Sequence, residues 1–316
     1  MSKFISQSQY AIKPRKISHA VSAARDLINI ATKNNIPMGF LSLDMEAAFD
    51  NLNMEYVYLC LAKYGFSQNA IDIFKNVYSE AMAMSYINGS MSKLILDQAG
   101  NLRQGGCGSM ELFVVGVNPL VQLLEKKLRG VVLYSAPIKG PVMKYEANLA
   151  PFEKTGKLVG YVDDICPVVT SKEEFFIVDK CLKLFEFSSG CKFHRNPTTQ
   201  KCKITLYGSW KRRYNQENIP LPFLKITNHL DILGIKLFET WRKTQRENGA
   251  KLVSKVKLVA DRWKGGRFYS FLLRPHIVNT YLFSNIWYTA GVIDLQLGHL
   301  DEIQKKEIIM FIQIAF

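Results

Sequence analysis

The stretch Gly160-Tyr161-Val162-Asp163-Asp164 limits what this chain can fold into more than any other. Apolar sequence leads into it (Lys157-Leu158-Val159-Gly160-Tyr161-Val162) and leaves it (Ile165-Cys166-Pro167-Val168-Val169). Strand, two acids, strand is the pattern of a β-hairpin with carboxylates at its bend. Neighbouring residues of a strand point to opposite faces, so only a turn lets both acids approach one place. Half-burying two carboxylates between strands is costly unless something positive sits on them. A hard divalent cation such as Mg²⁺ meets that need, because it prefers carboxylate oxygen; the plain alternative is a polar hairpin tip.

A second acid-bearing strand tips the balance. Met38-Gly39-Phe40-Leu41-Ser42-Leu43 is apolar and ends in Asp44, after which Met45-Glu46-Ala47-Ala48-Phe49-Asp50 turns the chain toward a helix. Acids at strand ends are where α/β proteins place catalytic groups. Between the two acid sites, Asn101-Leu102-Arg103-Gln104-Gly105-Gly106-Cys107-Gly108-Ser109 is glycine-rich and opens an apolar helix over residues 110–128. Glycines there let backbone N–H groups close on a ligand, although the stretch read alone is equally a small-residue turn.

Periodicity fills in the rest. A helix capped by Ser18 runs to Lys33, with Val21, Ala24, Leu27, Ile28 and Ala31 on one face. Residues 54–84 are helical with a break at Tyr64-Gly65-Phe66-Ser67, and Asn88-Gly89 then marks a tight hairpin. Residues 129–156 read as a loop-rich connection with a short strand near 130–134. Ser171 caps a helix to Ser189, with Glu173 and Glu174 in its first turn and Val178, Leu182 and Phe185 inward. Strands follow at residues 190–193, 202–207 and 232–237.

Charge narrows the partners. The 316 residues carry 41 basic and 27 acidic side chains, a net +14, which points to a polyanion such as nucleic acid or an anionic membrane surface. No apolar run reaches the length of a membrane span, and the N-terminus lacks a secretory core. The excess concentrates in residues 241–275, with ten Lys or Arg against Glu247 and Asp261. There Leu252, Val256, Val259 and Trp263 form an apolar stripe beside Lys251, Lys255 and Arg262, a helix suited to packing on one side and offering cations to a duplex backbone on the other. The run Lys13-Pro14-Arg15-Lys16 is a phosphate clamp or a solvated loop. The six cysteines form no C-x-x-C pair, so neither a disulfide framework nor a zinc ribbon is expected, and Cys191, His194 and Cys202 lack a fourth zinc ligand at sensible spacing.

An acid at a strand end, two acids in a hairpin, a glycine turn and a cationic surface are about what two-metal phosphoryl transfer needs. Carboxylates hold two Mg²⁺ ions roughly 4 Å apart, and positioning with charge neutralisation carries the rate.

At this point a family resemblance enters. The run from Leu41 through Asp44 to Asp50 resembles the first palm motif of reverse transcriptases of non-LTR (LINE-type) retrotransposons. Tyr161-Val162-Asp163-Asp164 resembles the third motif, and Arg103-Gln104-Gly105 the opening of the second. Ser189-Gly190-Cys191-Lys192-Phe193, with Asn196 and Lys201 after it, is similar to the fourth. Leu230-Asp231-Ile232-Leu233-Gly234-Ile235 resembles the leucine-glycine strand that follows. The stretch from Tyr10 to Ala20 resembles the fingers motif before the palm, and that from Trp263 to Tyr288 the thumb.

The resemblance implies an α+β polymerase right-hand fold. Its parts would be partial fingers over residues 1–39, a palm with an antiparallel sheet over 40–240 and interleaved fingers elements at 51–102, and a basic helical thumb, truncated, over 241–316. It implies that Asp44, Asp163, Asp164 and the Met45 carbonyl bind two Mg²⁺ ions, with Mn²⁺ as an alternative. Lys201 would donate the proton to leaving pyrophosphate, although its spacing from Asn196 is expanded. Phe49 would lie under the incoming sugar, and Arg103, Gln104, Gly105 and Tyr161 would line the nucleotide pocket. Lys13 and Lys16 would reach phosphate; Lys251, Lys255, Arg262 and Lys264 would hold nucleic acid.

The implied activity is RNA-directed DNA synthesis from a primer 3′-hydroxyl with dNTPs, on an RNA template and DNA primer, in the nucleus or cytoplasm. The chain would be part of a longer polyprotein with its endonuclease elsewhere. Gly106-Cys107-Gly108-Ser109-Met110-Glu111 departs from the proline-containing turn usual after Gln104-Gly105. That departure keeps open an inactive remnant that only binds nucleic acid; an intron maturase or another palm polymerase is the remaining alternative.

Overall fold

The computed structural model describes residues 4–79, 82–97, 102–134 apart from 104 and 107, 153–263, 276 and 278–305. In order, its elements are α1 (Ile17–Lys33), β1 (Met38–Ser42), β2 (Met45–Glu46), α2 (Ala48–Asn51), α3 (Met54–Lys63), α4 (Gln68–Ser79), β3 (Met82–Ile87) and β4 (Ser90–Asp97). Then come α5 (Ser109–Lys127), β5 (Val131–Tyr134), β6 (Glu153–Gly156), β7 (Leu158–Tyr161), β8 (Asp164–Val169), α6 (Lys172–Ser189), β9 (Lys192–Phe193) and β10 (Lys203–Tyr207). The last are α7 (Trp210–Arg213), β11 (Lys225–Thr227), β12 (Leu230–Ile232), β13 (Ile235–Leu237), α8 (Trp241–Trp263), a π-helical segment (Val278–Phe283) and α9 (Ser284–Ala290). Contacts divide the chain into two units, Met1–Asn228 and His229–Phe316.

The first unit is built on a five-stranded sheet in the order β11-β10-β1-β8-β7. All its pairings are antiparallel except β10 with β11. β1 is central, and Met38 through Leu41 are all buried, which is why that strand reads as an unbroken apolar run rather than an alternation. Helices α1, α5 and α6 pack on the sheet. α1 buries the stripe the sequence predicts, Val21, Ala24, Leu27, Ile28 and Ala31, and α6 buries Val178, Leu182 and Phe185. Mixed helices around a largely antiparallel sheet give the expected α+β class.

Local chemistry moves several boundaries. Ser18 lies inside α1 and does not cap it; the flanking residue is Lys16, whose N–H donates to His19 Nδ1 at 3.3 Å. α4 ends at Ser79 and β3 has begun by Met82, so the helix does not reach Met84. Asn88 (φ 48) and Gly89 (φ 85) both take the left-handed conformations that a two-residue hairpin requires. β6 was unreadable in Glu153-Lys154-Thr155-Gly156, which has no apolar alternation; its pairing with β5 defines it.

The second unit starts with a hairpin where the sequence reads one strand over 232–237. Leu233 (φ 50) and Gly234 (φ 75) form its turn between β12 and β13. The buried Asn248 of α8 fastens it by accepting from Lys236 N–H at 3.0 Å and donating to Lys236 O at 2.8 Å. By its contacts this hairpin groups with α8, not with the sheet. No helix among the described residues is long and apolar enough to cross a membrane.

Glu174, in the first turn of α6 as the sequence places it, is buried. It is 1% exposed, and its carboxylate accepts from Arg129 N–H (2.6 Å), Thr170 N–H (2.5 Å), Ser171 N–H (3.2 Å) and the Thr170 hydroxyl (3.0 Å). Losing it leaves several part-buried donors without an acceptor. Glu174→Ala should lower unfolding stability by about 3 kcal/mol, whereas Glu173→Ala, at an exposed neighbour, should leave the denaturant midpoint unchanged; urea titrations of both variants check this.

Candidate active site

β1 and β8 meet at the edge of the sheet where the acids lie. Gly39 pairs with Val169, Phe40 with Val168, and the ladder resumes at Leu43, whose N–H donates to Ile165 O at 3.1 Å. Asp44 directly follows Leu43 and Asp164 directly precedes Ile165, so each acid lies one residue from this bridged pair. Tyr161 pairs with Asp164, leaving Val162 and Asp163 as a two-residue turn. The hairpin expected from the sequence is therefore present, with Asp163 at its bend and Asp164 at the start of β8.

Burial is not what calls for a cation here. Asp44 and Asp163 are exposed and Asp164 is half-buried, so the desolvation argument made from the sequence does not apply. Among the described residues, no group of three or more His, Cys, Asp or Glu side chains is arranged to hold a metal alone. An open set of carboxylates still fits Mg²⁺, which keeps several waters and is commonly held by one or two carboxylates together with substrate phosphates.

β2 turns away from the sheet and pairs with β9, Met45 opposite Phe193 and Glu46 opposite Lys192. That pairing delivers residues the sequence did not single out. His194 N–H donates to Asp44 O at 3.0 Å, and its ring lies between two acids, Nε2 3.5 Å from Asp44 Oδ2 and Nδ1 3.3 Å from Glu46 Oε1. Lys201 Nζ is 3.0 Å from His194 Nε2 and 4.0 Å from Asp44 Oδ2. The loop that expanded the spacing to Lys201 thus still returns it to the acids. Neither His194 nor Glu46 is legible as a site residue in the sequence, because two-residue strands such as β2 and β9 leave no pattern that announces their pairing.

The other expected residues are distributed unevenly. Met45 is buried beside Asp44, and Tyr161 is half-buried at the end of β7. Phe49 is half-buried and stacks on Phe113 of α5 with ring centroids 4.6 Å apart. Arg103 is tied to α4, donating to Val77 O at 2.8 Å with its guanidinium over the Tyr78 ring. Gly105 (φ 82) is exposed, and Gly108 (φ 77) leads into α5. Lys13 and Lys16 are exposed ahead of α1. In the second unit, Lys251 and Lys255 line a cavity of about 340 Å³ with Ser284, Tyr288 and Thr289, Lys251 donating to Gly234 O at 3.0 Å. Arg262 is exposed; Gln104 and Lys264 lie outside the described residues.

The chain matches, over residues 1–237, the protein family described as reverse transcriptase (RNA-dependent DNA polymerase). A Xenopus laevis protein described as "Transposon TX1 uncharacterized 149 kDa protein" is 28% identical over 302 residues, 94% of this chain and 21% of the relative, so the chain spans about a fifth of that relative's length. Among solved structures, apo telomerase from Candida tropicalis truncated from its C-terminal domain is 16% identical with a TM-score of 0.42, covering 73% of this chain and 39% of that one. Telomerase from the same organism with a TWJ fragment of telomeric RNA is 12% identical with a TM-score of 0.44, covering 98% and 48%. These likenesses are too loose to place any residue.

Cys191 and Cys202 turn to the backbone. The Cys202 thiol accepts from Asp44 N–H at 3.4 Å and donates to Asp44 O at 3.8 Å, and the Cys191 thiol donates to Ala48 O at 3.9 Å. Burial pushes both thiols up to about 11. Both therefore stay protonated at pH 8 and should resist iodoacetamide in the folded chain while reacting fully in urea, as peptide mass spectrometry will show.

Proposed function

Because the chain belongs to the reverse transcriptase (RNA-dependent DNA polymerase) family, we propose that it copies RNA into DNA for a non-LTR retrotransposon, extending a primer 3′-hydroxyl with dNTPs. The observation that supports this reading is the bridge between Leu43 and Ile165, from which Asp44 and Asp164 are each one residue removed, with Asp163 at the bend of the β7–β8 hairpin. Members of this family use divalent cations; Asp44, Asp163, Asp164 and the Met45 carbonyl would hold two Mg²⁺ ions here, with Mn²⁺ as a substitute. Bound cations neutralise the triphosphate and favour ionisation of the attacking hydroxyl.

The remaining groups divide the work. Lys201, beside Asp44, protonates the leaving pyrophosphate. Phe49, held by Phe113, presents its exposed edge under the incoming sugar, where its bulk disfavours a 2′-hydroxyl. Arg103, Gln104, Gly105 and Tyr161 line the nucleotide, and Lys13 and Lys16 meet phosphate. Lys251, Lys255, Arg262 and Lys264 follow the duplex backbone. Residues 1–39 act as fingers, 40–240 as palm with fingers elements at 51–102, and 241–316 as thumb. The greater length of the transposon relative supports a longer polyprotein; an endonuclease of the element would lie elsewhere in it.

Primer extension on poly(rA)/oligo(dT) with Mg²⁺ should give incorporation that Asp163→Ala lowers at least about a hundredfold; unchanged incorporation contradicts the reading. Lys251→Ala and Lys255→Ala should each reduce the salt dependence of duplex binding by about one charge in the slope of log K against log salt, measured by fluorescence anisotropy.

A further inference from the structure

The hairpin that carries Asp163 contains a strained residue held by a buried side chain from far away in the sequence. Val162 has φ 54, in the left-handed region that a β-branched residue adopts only at a cost. Gln9, 0% exposed, closes on it from both sides. Its Oε1 accepts from Val162 N–H at 3.0 Å, and its Nε2 donates to Val162 O at 3.3 Å. Oε1 also accepts from Ala11 N–H at 3.3 Å, so two donors on one atom fix which way the amide faces.

The backbone around Gln9 is equally committed. Gly160 N–H donates to Ser8 O and Tyr10 N–H donates to Gly160 O, each at 2.8 Å, so this segment forms a parallel bridge on the free edge of β7. The segment is itself tied to α5. Ser6 N–H donates to Asn118 Oδ1 at 2.9 Å, Asn118 Nδ2 donates to Phe4 O at 3.1 Å, and the Ser6 hydroxyl donates to Glu125 at 2.7 Å. Arg15 donates to the carbonyls of Ser6 and Gln9. A buried glutamine that gives both polar groups to the main chain of one turn residue serves to set that residue's conformation. If Val162 relaxed to negative φ, the turn would reshape and the Asp163 carboxylate would move with it.

Resting on the polymerase reading above, we propose that Gln9 is a positioning residue for the reaction: it holds Val162 left-handed and thereby fixes the Asp163 carboxylate on the Asp44 side of the sheet edge. It acts through Val162 and touches neither substrate nor metal.

The test uses the full chain carrying Gln9→Met, which keeps the volume and removes both hydrogen bonds to Val162 and the one from Ala11 N–H, in the native background and with Val162→Gly. In primer extension kcat should fall about a hundredfold, the scale of a misplacement near 1 Å, with KM for template–primer unchanged. Mn²⁺ binding read by paramagnetic resonance should weaken in parallel. Glycine takes positive φ without strain, so the loss caused by Gln9→Met should shrink in the Val162→Gly background. Native kcat and Mn²⁺ affinity in Gln9→Met, or an equal loss in both backgrounds, overturns the proposal. If Gln9→Met does not fold, Gln9→Asn, too short to span both backbone atoms, is read by the same criteria. A native chain that extends no primer defeats the polymerase reading; an active native chain indifferent to Gln9→Met defeats only the clamp.

Discussion

Backbone pairing between Leu43 and Ile165 is the interaction on which the site depends. Each strand alone ends in acids that face water and repel one another. The ladder joining them continues from the run Met38 to Leu41, buried on both faces of the sheet, where a slip by one position would put side chains of the wrong size into close-packed places. Apolar burial in the middle of the sheet therefore sets the spacing of charged groups at its edge. The exposure of Asp44 and Asp163 follows from this: the carboxylates need not be desolvated to be brought together.

Much of this arrangement was legible in the sequence. The apolar strands flanking Asp163-Asp164, the acid closing β1 and the stripes of α1 and α6 all follow from residue period, and each lies where its period placed it. Features set by a distant partner were not legible. Glu174 reads as an ordinary first-turn acid because nothing local reveals that Arg129 and Thr170 offer it their N–H groups. His194 enters the site through a two-residue strand pairing too short to leave a pattern. The Leu233-Gly234 turn was hidden inside an apolar run that reads as continuous strand, because leucine is not a residue that usually takes the left-handed first position of such a turn.

Around the acids the chain builds support of two kinds. One is electrostatic: Lys201 and the His194 ring lie against the exposed Asp44 carboxylate, with Glu46 on the far side of the imidazole. The other is conformational: the N-terminal segment lies along β7 and places Gln9 against the strained turn. α5 links this second support to the glycine-rich turn, because the helix that starts after Gly108 also carries Asn118 and Glu125, which anchor that segment.

The central claim, that Asp44 and the Asp163-Asp164 hairpin share one metal-binding place, is tested most directly by letting the metal mark its own surroundings. Fe²⁺ in place of Mg²⁺, with ascorbate and peroxide, releases radicals that cut nearby backbone, and the fragments are read by mass spectrometry. The account predicts cuts around both residue 44 and residues 163–164, lost together on Asp163→Asn. Cuts confined to one of these segments, or surviving the substitution, would contradict it.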